Sequence, residues 1–394
     1  MTSRRRFLLA AGGAGLAATV GCSGPSRTYT VRPPTGALAA NLNANYQGGS
    51  FAGLESVSAS WVRGIQMTFR ADQEEFPADT TVGYLLEAAN RGYGTVLCLC
   101  YLYRDQPLPR PGTEEFQREI KRTDKILDAC LGKVDVLVIG NEPFVDTGRQ
   151  DGGEAVNAFY QAMAKHVIAY RKAKCGDRCR TQLYMGALTF ITTPASQTPA
   201  VEEWMRFTRE TPQIQGTDIH PHEATAEEST AYLDYILPRM RKDQQFLATE
   251  FSLMLKWKRH LRDPAPDAYA DELGYAPGTP VWQVVEGMVD KPVEEAQWSG
   301  FLLANEWFSE SRDYLQQQMK IFRDTERLAV AAYSWGQSDV QVKQFGPNGT
   351  PWIFNSVFAT KTTRTTSSGL PGQNSTWAQG FESVQREQDE RPVT

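Results

Sequence analysis

Short apolar segments alternating with longer amphipathic segments are the feature that most constrains the fold of this 394-residue chain. The apolar segments have the length of buried parallel strands, and the segments between them repeat apolar residues at helical spacing. Strands are predicted at Leu38–Asn43, Trp61–Met67, Thr95–Tyr101, Val134–Ile139, Gln182–Ala187, Gly216–His220, Phe246–Thr249 and Leu328–Trp335. Helices are predicted near Phe51–Ser58, Thr81–Arg91, Glu114–Leu131, Glu154–Lys174, Glu202–Glu210, Ser229–Lys242 and Glu294–Arg323.

Eight strands alternating with helices predict an α/β fold, in which residues 37–360 form one domain, a closed (β/α)8 TIM barrel. A doubly wound open sheet is the alternative, but no glycine-rich phosphate loop follows any predicted strand. The proline-rich stretch Lys256–Val293 is predicted to be a loop inserted between strands 7 and 8, over the barrel mouth. Residues 361–394 are rich in Thr, Ser, Gln and charge, and we expect a loosely ordered polar C-terminal tail.

The N-terminus has the features of a bacterial export signal. The segment SRRRFLL at positions 3–9 matches a twin-arginine signature and precedes an apolar stretch that is short for a membrane span. The following TVGCSG resembles a lipoprotein cleavage box with Cys22 as the lipidated residue, although Thr19 stands where leucine is usual. Cleavage by an ordinary signal peptidase is the alternative. Residues 1–22 are therefore predicted to be a signal and residues 23–36 a linker, and we expect a periplasmic or cell-surface protein, membrane-anchored if Cys22 is lipidated.

The net charge and the remaining cysteines indicate which binding partners and which disulfides to expect. The net charge of −5 gives no reason to expect binding to nucleic acid or to an anionic membrane surface. Cys175 and Cys179 flank a short polar turn with a glycine, and they could form a disulfide in an oxidising compartment. A metal pair is the alternative, but it lacks further ligands nearby. Cys98, Cys100 and Cys130 fit a buried core as small hydrophobic residues.

Two of the predicted strands are followed abruptly by a glutamate. Glu142 follows strand 4 in the sequence VLVIGNEP, and Glu250 follows strand 7 in FLATEF. The carboxyl ends of all strands meet at one face of an α/β barrel, where such enzymes keep their chemistry. Two carboxylates at that face can provide the proton donor and the nucleophile or base for cleavage of a glycosidic bond.

Glutamates on strands 4 and 7, with Asn141 directly before the first of them, resemble the pattern of the clan A glycoside hydrolases. The resemblance covers roughly residues 37–360, by strand order and motif. It implies a retaining enzyme that cleaves an O-glycosidic bond of an extracellular or envelope polysaccharide or oligosaccharide by double displacement, without a cofactor. Glu142 would then be the general acid/base, Glu250 the nucleophile, and Asn141 a hydrogen-bonding partner of the sugar 2-hydroxyl.

The same resemblance assigns roles to further residues at the strand ends. Arg63 on strand 2 matches the arginine that hydrogen-bonds the nucleophile, and a fixed guanidinium would keep that carboxylate ionised. His220 and His222 end strand 6, where the clan places a residue that contacts the nucleophile or the sugar. Trp335 matches the strand 8 tryptophan that forms a platform under the sugar, and Tyr101 after strand 3 is a further candidate for substrate binding.

Two other functions are compatible with these residues. A surface lipoprotein could bind carbohydrate on the same barrel without turnover. A metal-dependent hydrolase could use the two histidines with carboxylates, but we expect no metal site, because His166 and His260 are the only other histidines. A carbohydrate substrate and a monomeric state are expected.

Overall fold

The computed structural model describes residues 36–43, 49–73, 75–147, 152–176 and 178–389, and its eight strands close into one parallel barrel. Strand β1 pairs with both β2 and β8, so no strand edge is left open. The predicted (β/α)8 barrel is therefore confirmed, and the doubly wound alternative is wrong. The strands are β1 Ala37–Asn41, β2 Trp61–Met67, β3 Gly94–Cys100, β4 Val136–Ile139, β5 Gln182–Thr189, β6 Ile214–His220, β7 Gln245–Ala248 and β8 Leu328–Ser334.

The helices surround this barrel, and several begin at side chains that cap them. The Thr113 hydroxyl accepts a hydrogen bond from the Phe116 amide at the start of α3, and Thr198 caps α6 in the same way. The helices are α1 Phe51–Ser56, α2 Thr81–Asn90, α3 Glu114–Cys130, α4 Pro143–Asp146, α5 Gly152–Cys175, α6 Pro199–Glu210, α7 Thr230–Ile236, α8 Met254–His260, α9 Asp267–Glu272, α10 Val281–Asp290, α11 Glu295–Ala304, α12 Glu306–Ser309, α13 Tyr314–Asp324, α14 Asp339–Lys343 and α15 Ser375–Asp389.

Strand residues alternate between two separate apolar layers. On β4, Val136 and Val138 belong to the small cluster inside the barrel, whereas Leu137 and Ile139 pack in the larger cluster between strands and helices. This alternation follows from the two-residue period of a strand. It also decides which side chains at a strand end can enter the mouth.

The predicted insertion between strands 7 and 8 is present, and the structure shows that it is largely helical. It forms α8, α9 and α10, which bury Trp257 and Val284. Pro266 and Pro280 directly precede α9 and α10. A proline that precedes a helix removes none of its internal hydrogen bonds, so these prolines begin helices instead of breaking them.

The expectation of a loosely ordered tail is wrong for the part of residues 361–394 that the structure describes. Helix α15 packs on the barrel through Trp377, which is fully buried. The Trp377 ring contacts Phe308 and Tyr333, and its indole N–H donates to the Phe354 carbonyl. Four buried apolar residues at helical spacing dock this helix, although polar residues dominate its composition: Trp377, Ala378, Phe381 and Val384.

The predicted signal, its Cys22 and the linker lie outside the described residues, except for Gly36, whose amide donates to the Leu328 carbonyl. Those boundaries stay predictions. Cys175 and Cys179 are both free thiols, and their disulfide stays a prediction as well. Among the described residues, no helix is long and apolar enough to cross a membrane.

Candidate active site

Both predicted glutamates reach the mouth at the carboxyl end of the barrel. Glu142 follows β4 and has a left-handed backbone, with φ 42° and ψ 57°. Gly140 before it has φ 111°, and a side chain there would come within 2.8 Å of the Tyr160 ring. Glu250 is the second residue after β7. The side chains of Glu142 and Glu250 are 18% and 22% exposed, so both are accessible from the mouth although most of their surface is covered.

Arg63 lies fully buried beneath these glutamates and links several strand ends. Its Nη1 donates to a carboxylate oxygen of Glu250 over 2.7 Å, and its Nη2 donates to Asn141 Oδ1 over 2.9 Å. Further donations go to the side chains of Asn41, Asn43 and Cys98. Asn141 is the neighbour of Glu142 in the chain, so one guanidinium bridges the strand ends that carry both glutamates.

Glu250 is held in its ionised form. Burial by itself disfavours the carboxylate, but the positive charges of His220 and Arg63 outweigh this cost and lower the pKa of Glu250 from its usual 4.5 to about 2. The hydrogen bond from Arg63 acts in the same direction. Glu250 is therefore a carboxylate throughout the neutral range, as a nucleophile or an electrostatic stabiliser must be.

His220 connects Glu142 to a second, buried carboxylate. Its Nδ1 lies 3.1 Å from Glu142 Oε1, and its Nε2 lies 3.0 Å from the Thr249 hydroxyl and 3.6 Å from Asp218 Oδ2. Burial disfavours the imidazolium, but the charge of Glu250, the nearby Asp218 carboxylate and the hydrogen bond with Glu142 outweigh this and raise the pKa of His220 to about 10. His220 is thus a cation at neutral pH and can donate from both ring nitrogens.

His222 occupies a different environment, although both histidines lie close to Glu142 as their shared strand parity predicted. It is buried, its Nδ1 lies 2.9 Å from the Ser252 hydroxyl, and its ring packs against Trp352. Burial lowers the pKa of His222 to about 4, against the opposing influence of Glu250 and Glu142. At neutral pH this histidine is therefore uncharged.

Glu142, His220 and His222 form the group of side chains that could hold a metal ion, because their ligand atoms all lie within 4.8 Å of one another. A histidine binds a metal ion only through an unprotonated ring nitrogen. The pKa of about 10 keeps both nitrogens of His220 protonated at neutral pH, and both already have hydrogen-bond partners. The hydrogen bonds of both His220 nitrogens therefore compete with metal coordination at this position.

Asp146 is a buried site residue that the sequence analysis missed. Its carboxylate accepts a hydrogen bond from Asn141 Nδ2 over 3.1 Å and forms an ion pair with Arg104. Together with the Arg63 donation to Asn141 Oδ1, this contact determines the orientation of the Asn141 amide. No sequence signal marks Asp146, since an aspartate at the end of a one-turn helix is more often solvated.

Tyr101 does not reach the mouth, so its predicted role in substrate binding is wrong. It has the strand parity of Leu97 and Leu99, which face outward, and its ring is buried against Phe159 and Tyr160. Its hydroxyl is 3.1 Å from that of Thr123 on α3.

Trp335 directly follows β8 and is only 3% exposed, with its ring 4.5 Å from that of Phe358. Its role as a sugar platform stays a prediction.

No family model and no curated protein matches this chain. Among solved structures, the catalytic domain of a mannanase from Streptomyces sp. SirexAA-E is 14% identical, with 92% of this chain and 89% of that chain covered and a TM-score of 0.49. An endo-1,4-beta-xylanase from Penicillium canescens is 11% identical, with 88% and 93% covered and a TM-score of 0.48. A GH53 catalytic domain from Ignisphaera aggregans is 10% identical, with 91% and 97% covered and a TM-score of 0.44. At this similarity, the barrel is established by the strand pairing of the chain itself.

Proposed function

We propose that this protein is a retaining glycoside hydrolase, in which Glu142 is the general acid/base and Glu250 is the nucleophile. The observation that carries the proposal is a pair of accessible glutamates after β4 and β7, of which Glu250 is bound by Arg63 and held ionised and Glu142 is bound by His220. A glycosidase needs one carboxylate that stays charged and a second that exchanges a proton.

In the first step, a Glu250 carboxylate oxygen bonds to the anomeric carbon while the bond from that carbon to the leaving oxygen breaks. The Glu142 carboxyl gives its proton to the leaving oxygen. The hydrogen bond from His220 to Glu142 Oε1 stabilises the carboxylate left by this transfer. In the second step, the Glu142 carboxylate takes a proton from water, whose oxygen bonds to the anomeric carbon and releases Glu250.

Asn141 recognises the sugar during both steps. Its Oδ1 accepts from Arg63, and one hydrogen of its Nδ2 is donated to Asp146. The second amide hydrogen is then available to the 2-hydroxyl of the sugar. Hydrogen bonds to this hydroxyl strengthen in an oxocarbenium-like transition state, so a fixed amide favours that state over the bound substrate.

Substitution of each glutamate tests the proposal. Glu142→Gln and Glu250→Gln should each abolish release of reducing ends from a panel of plant and bacterial-envelope polysaccharides, with an unchanged circular dichroism spectrum. Glu306→Gln is the matched control, since it changes the same Asn-Glu dipeptide at an exposed position on α12. Substantial turnover by Glu250→Gln, or binding of glycan by the wild type without cleavage, would contradict the proposal.

The covalent intermediate tests the nucleophile directly. A 2-deoxy-2-fluoro glycoside with a good leaving group should leave a glycosyl adduct on the peptide that contains Glu250, as read by mass spectrometry. The first sugar product observed by proton NMR should keep the anomeric configuration of the substrate. An inverted product would show that Glu250 acts as a base towards water instead.

We further propose that the protein is exported by the twin-arginine pathway and anchored through Cys22. The proposal rests on the SRRRFLL segment and on the cysteine after the apolar stretch. Cell fractionation should find the wild type in the membrane fraction and Cys22→Ala in the soluble exported fraction. Equal distribution of the two proteins would refute lipidation, and retention of both in the cytoplasm would refute export.

A further inference from the structure

Exposed apolar side chains are concentrated where strands end at the mouth. In the described part of the chain, the exposed large hydrophobic residues include two aromatics, Phe69 and Phe190, which are 46% and 48% exposed. Phe69 lies two residues after β2, Phe190 lies directly after β5, and the exposed Leu102 lies two residues after β3. An apolar rim around a polar centre has the composition of a ligand site and differs from an ordinary solvated loop surface.

The position of Phe190 is enforced by its surroundings. Its backbone is left-handed, with φ 56°, a conformation that is rare for a bulky residue and typical of functional sites. Its amide donates to the hydroxyl of the buried Tyr232 over 2.9 Å. The preceding Thr189 pairs with His220 in the sheet, so the Cα atoms of Phe190 and His220 are within ~8 Å of each other. The ring is therefore held in solvent at the strand end next to the one that carries His220.

A separate set of contacts connects Phe69 to Asn141, the residue before Glu142. It lines a cavity of about 600 Å³ together with Leu102, Tyr103 and Arg104. Arg104 forms an ion pair with Asp146, which in turn holds the Asn141 amide next to Glu142. A chain of contacts thus leads from the cavity that Phe69 lines to Asn141, the residue directly before Glu142.

We infer that Phe69 and Phe190 are stacking platforms for two sugar rings of one glycan chain that crosses the open mouth. This inference rests on the proposed function and names its substrate class: a glycan of several rings, cleaved at an internal linkage. In the barrel order, β2 and β5 lie on either side of β4, which carries Glu142. A chain that stacks on both rings therefore passes Glu142 between two bound sugars, whereas a terminal residue would use only one of the platforms.

Binding can be measured apart from turnover by using the Glu142→Gln protein in affinity electrophoresis with soluble xylan, mannan and a bacterial-envelope polysaccharide. Adding Phe69→Ala or Phe190→Ala should weaken retention by the bound polymer about tenfold each, since a stacked ring provides both contact area and a geometric preference. Leu303→Ala is the matched control, because it removes an exposed apolar side chain on α11. That variant should bind like its parent.

Turnover gives the second readout. With otherwise wild-type protein, each phenylalanine variant should lose at least fivefold more kcat/KM on the polymer than on an aryl monosaccharide glycoside, and viscosity should fall ahead of reducing-end release. If neither variant changes polymer cleavage, this inference is overturned and the proposed function stays intact. The same holds if the wild type cleaves only the aryl glycoside. Polymer binding that depends on both rings, without any cleavage, overturns the proposed function and supports the platforms. A wild type that neither binds nor cleaves overturns both.

Discussion

Replacing Arg63 by glutamine should raise the pKa of Glu250 towards its ordinary value. The pKa of Glu250 lies at about 2 instead of 4.5, a difference worth roughly 3 kcal/mol at 1.36 kcal/mol per pKa unit. After the opposing effect of burial, His220 makes the largest contribution to this lowering and Arg63 the next. An arginine next to a carboxylate lowers its pKa by ~1–3. The variant should therefore raise the pKa of Glu250 by at least about one, which corresponds to roughly 1 kcal/mol.

The assay is the pH dependence of kcat/KM, together with a carbon NMR titration of the Glu250 carboxyl, which does not depend on activity. A group with a lowered pKa contributes stability that is present above its unfolded pKa of 4.5 and lost as the pH falls towards 2. In Arg63→Gln, the acid limb of kcat/KM should move to higher pH. Activity at pH 7 should fall ~10–100-fold as well, because the nucleophile loses its fixed orientation.

Two controls separate charge from geometry and from general destabilisation. Arg63→Lys keeps a positive charge but cannot bridge Glu250 and Asn141 with one planar group, so the NMR pKa should stay low while kcat falls. Arg239→Gln breaks the exposed ion pair with Glu202 and should change neither quantity. The reasoning is refuted if folded Arg63→Gln titrates at Glu250 like the wild type.

Three further predictions concern the buried polar network and the C-terminal helix. The raised pKa of His220 contributes stability that is complete below pH 6.5 and lost as the pH rises towards 10. The melting temperature of His220→Gln should therefore fall less than that of the wild type as the pH is raised through this range, and an equal fall in both proteins would contradict this. Asp146→Asn replaces the carboxylate that accepts from the Asn141 amide by a group that can also donate. This variant should lower kcat about tenfold with little change in KM, and an effect on KM alone would exclude a positioning role. Trp377→Ala should lower the free energy of unfolding by ~3–5 kcal/mol in a denaturant titration, and a loss below about 1 kcal/mol would show that α15 does not stabilise the barrel.

Errors of the sequence-based prediction arose where side chains from distant parts of the chain pack together. Helices α9 and α10 were missed because Pro266 and Pro280 directly before them suggested a loop. Helix α15 was missed because polar residues dominate its composition, although Trp377 is fully buried. Tyr101 was misplaced because a strand end alone does not say which layer a side chain enters. Its parity with Leu97 and Leu99 would have placed it in the outer layer.

What the sequence by itself determined is the barrel, the strand ends that carry Glu142 and Glu250, and the position of Arg63 within β2. These follow from local patterns, since apolar runs give strands, amphipathic stretches give helices, and closure of parallel strands brings their carboxyl ends to one face. Only the tertiary structure decided how His220 and His222 differ in charge, because that depends on burial and on carboxylates brought from other strands. Electrostatic interactions and packing act across space, so groups far apart in the chain set the protonation of a site whose position local sequence already determines.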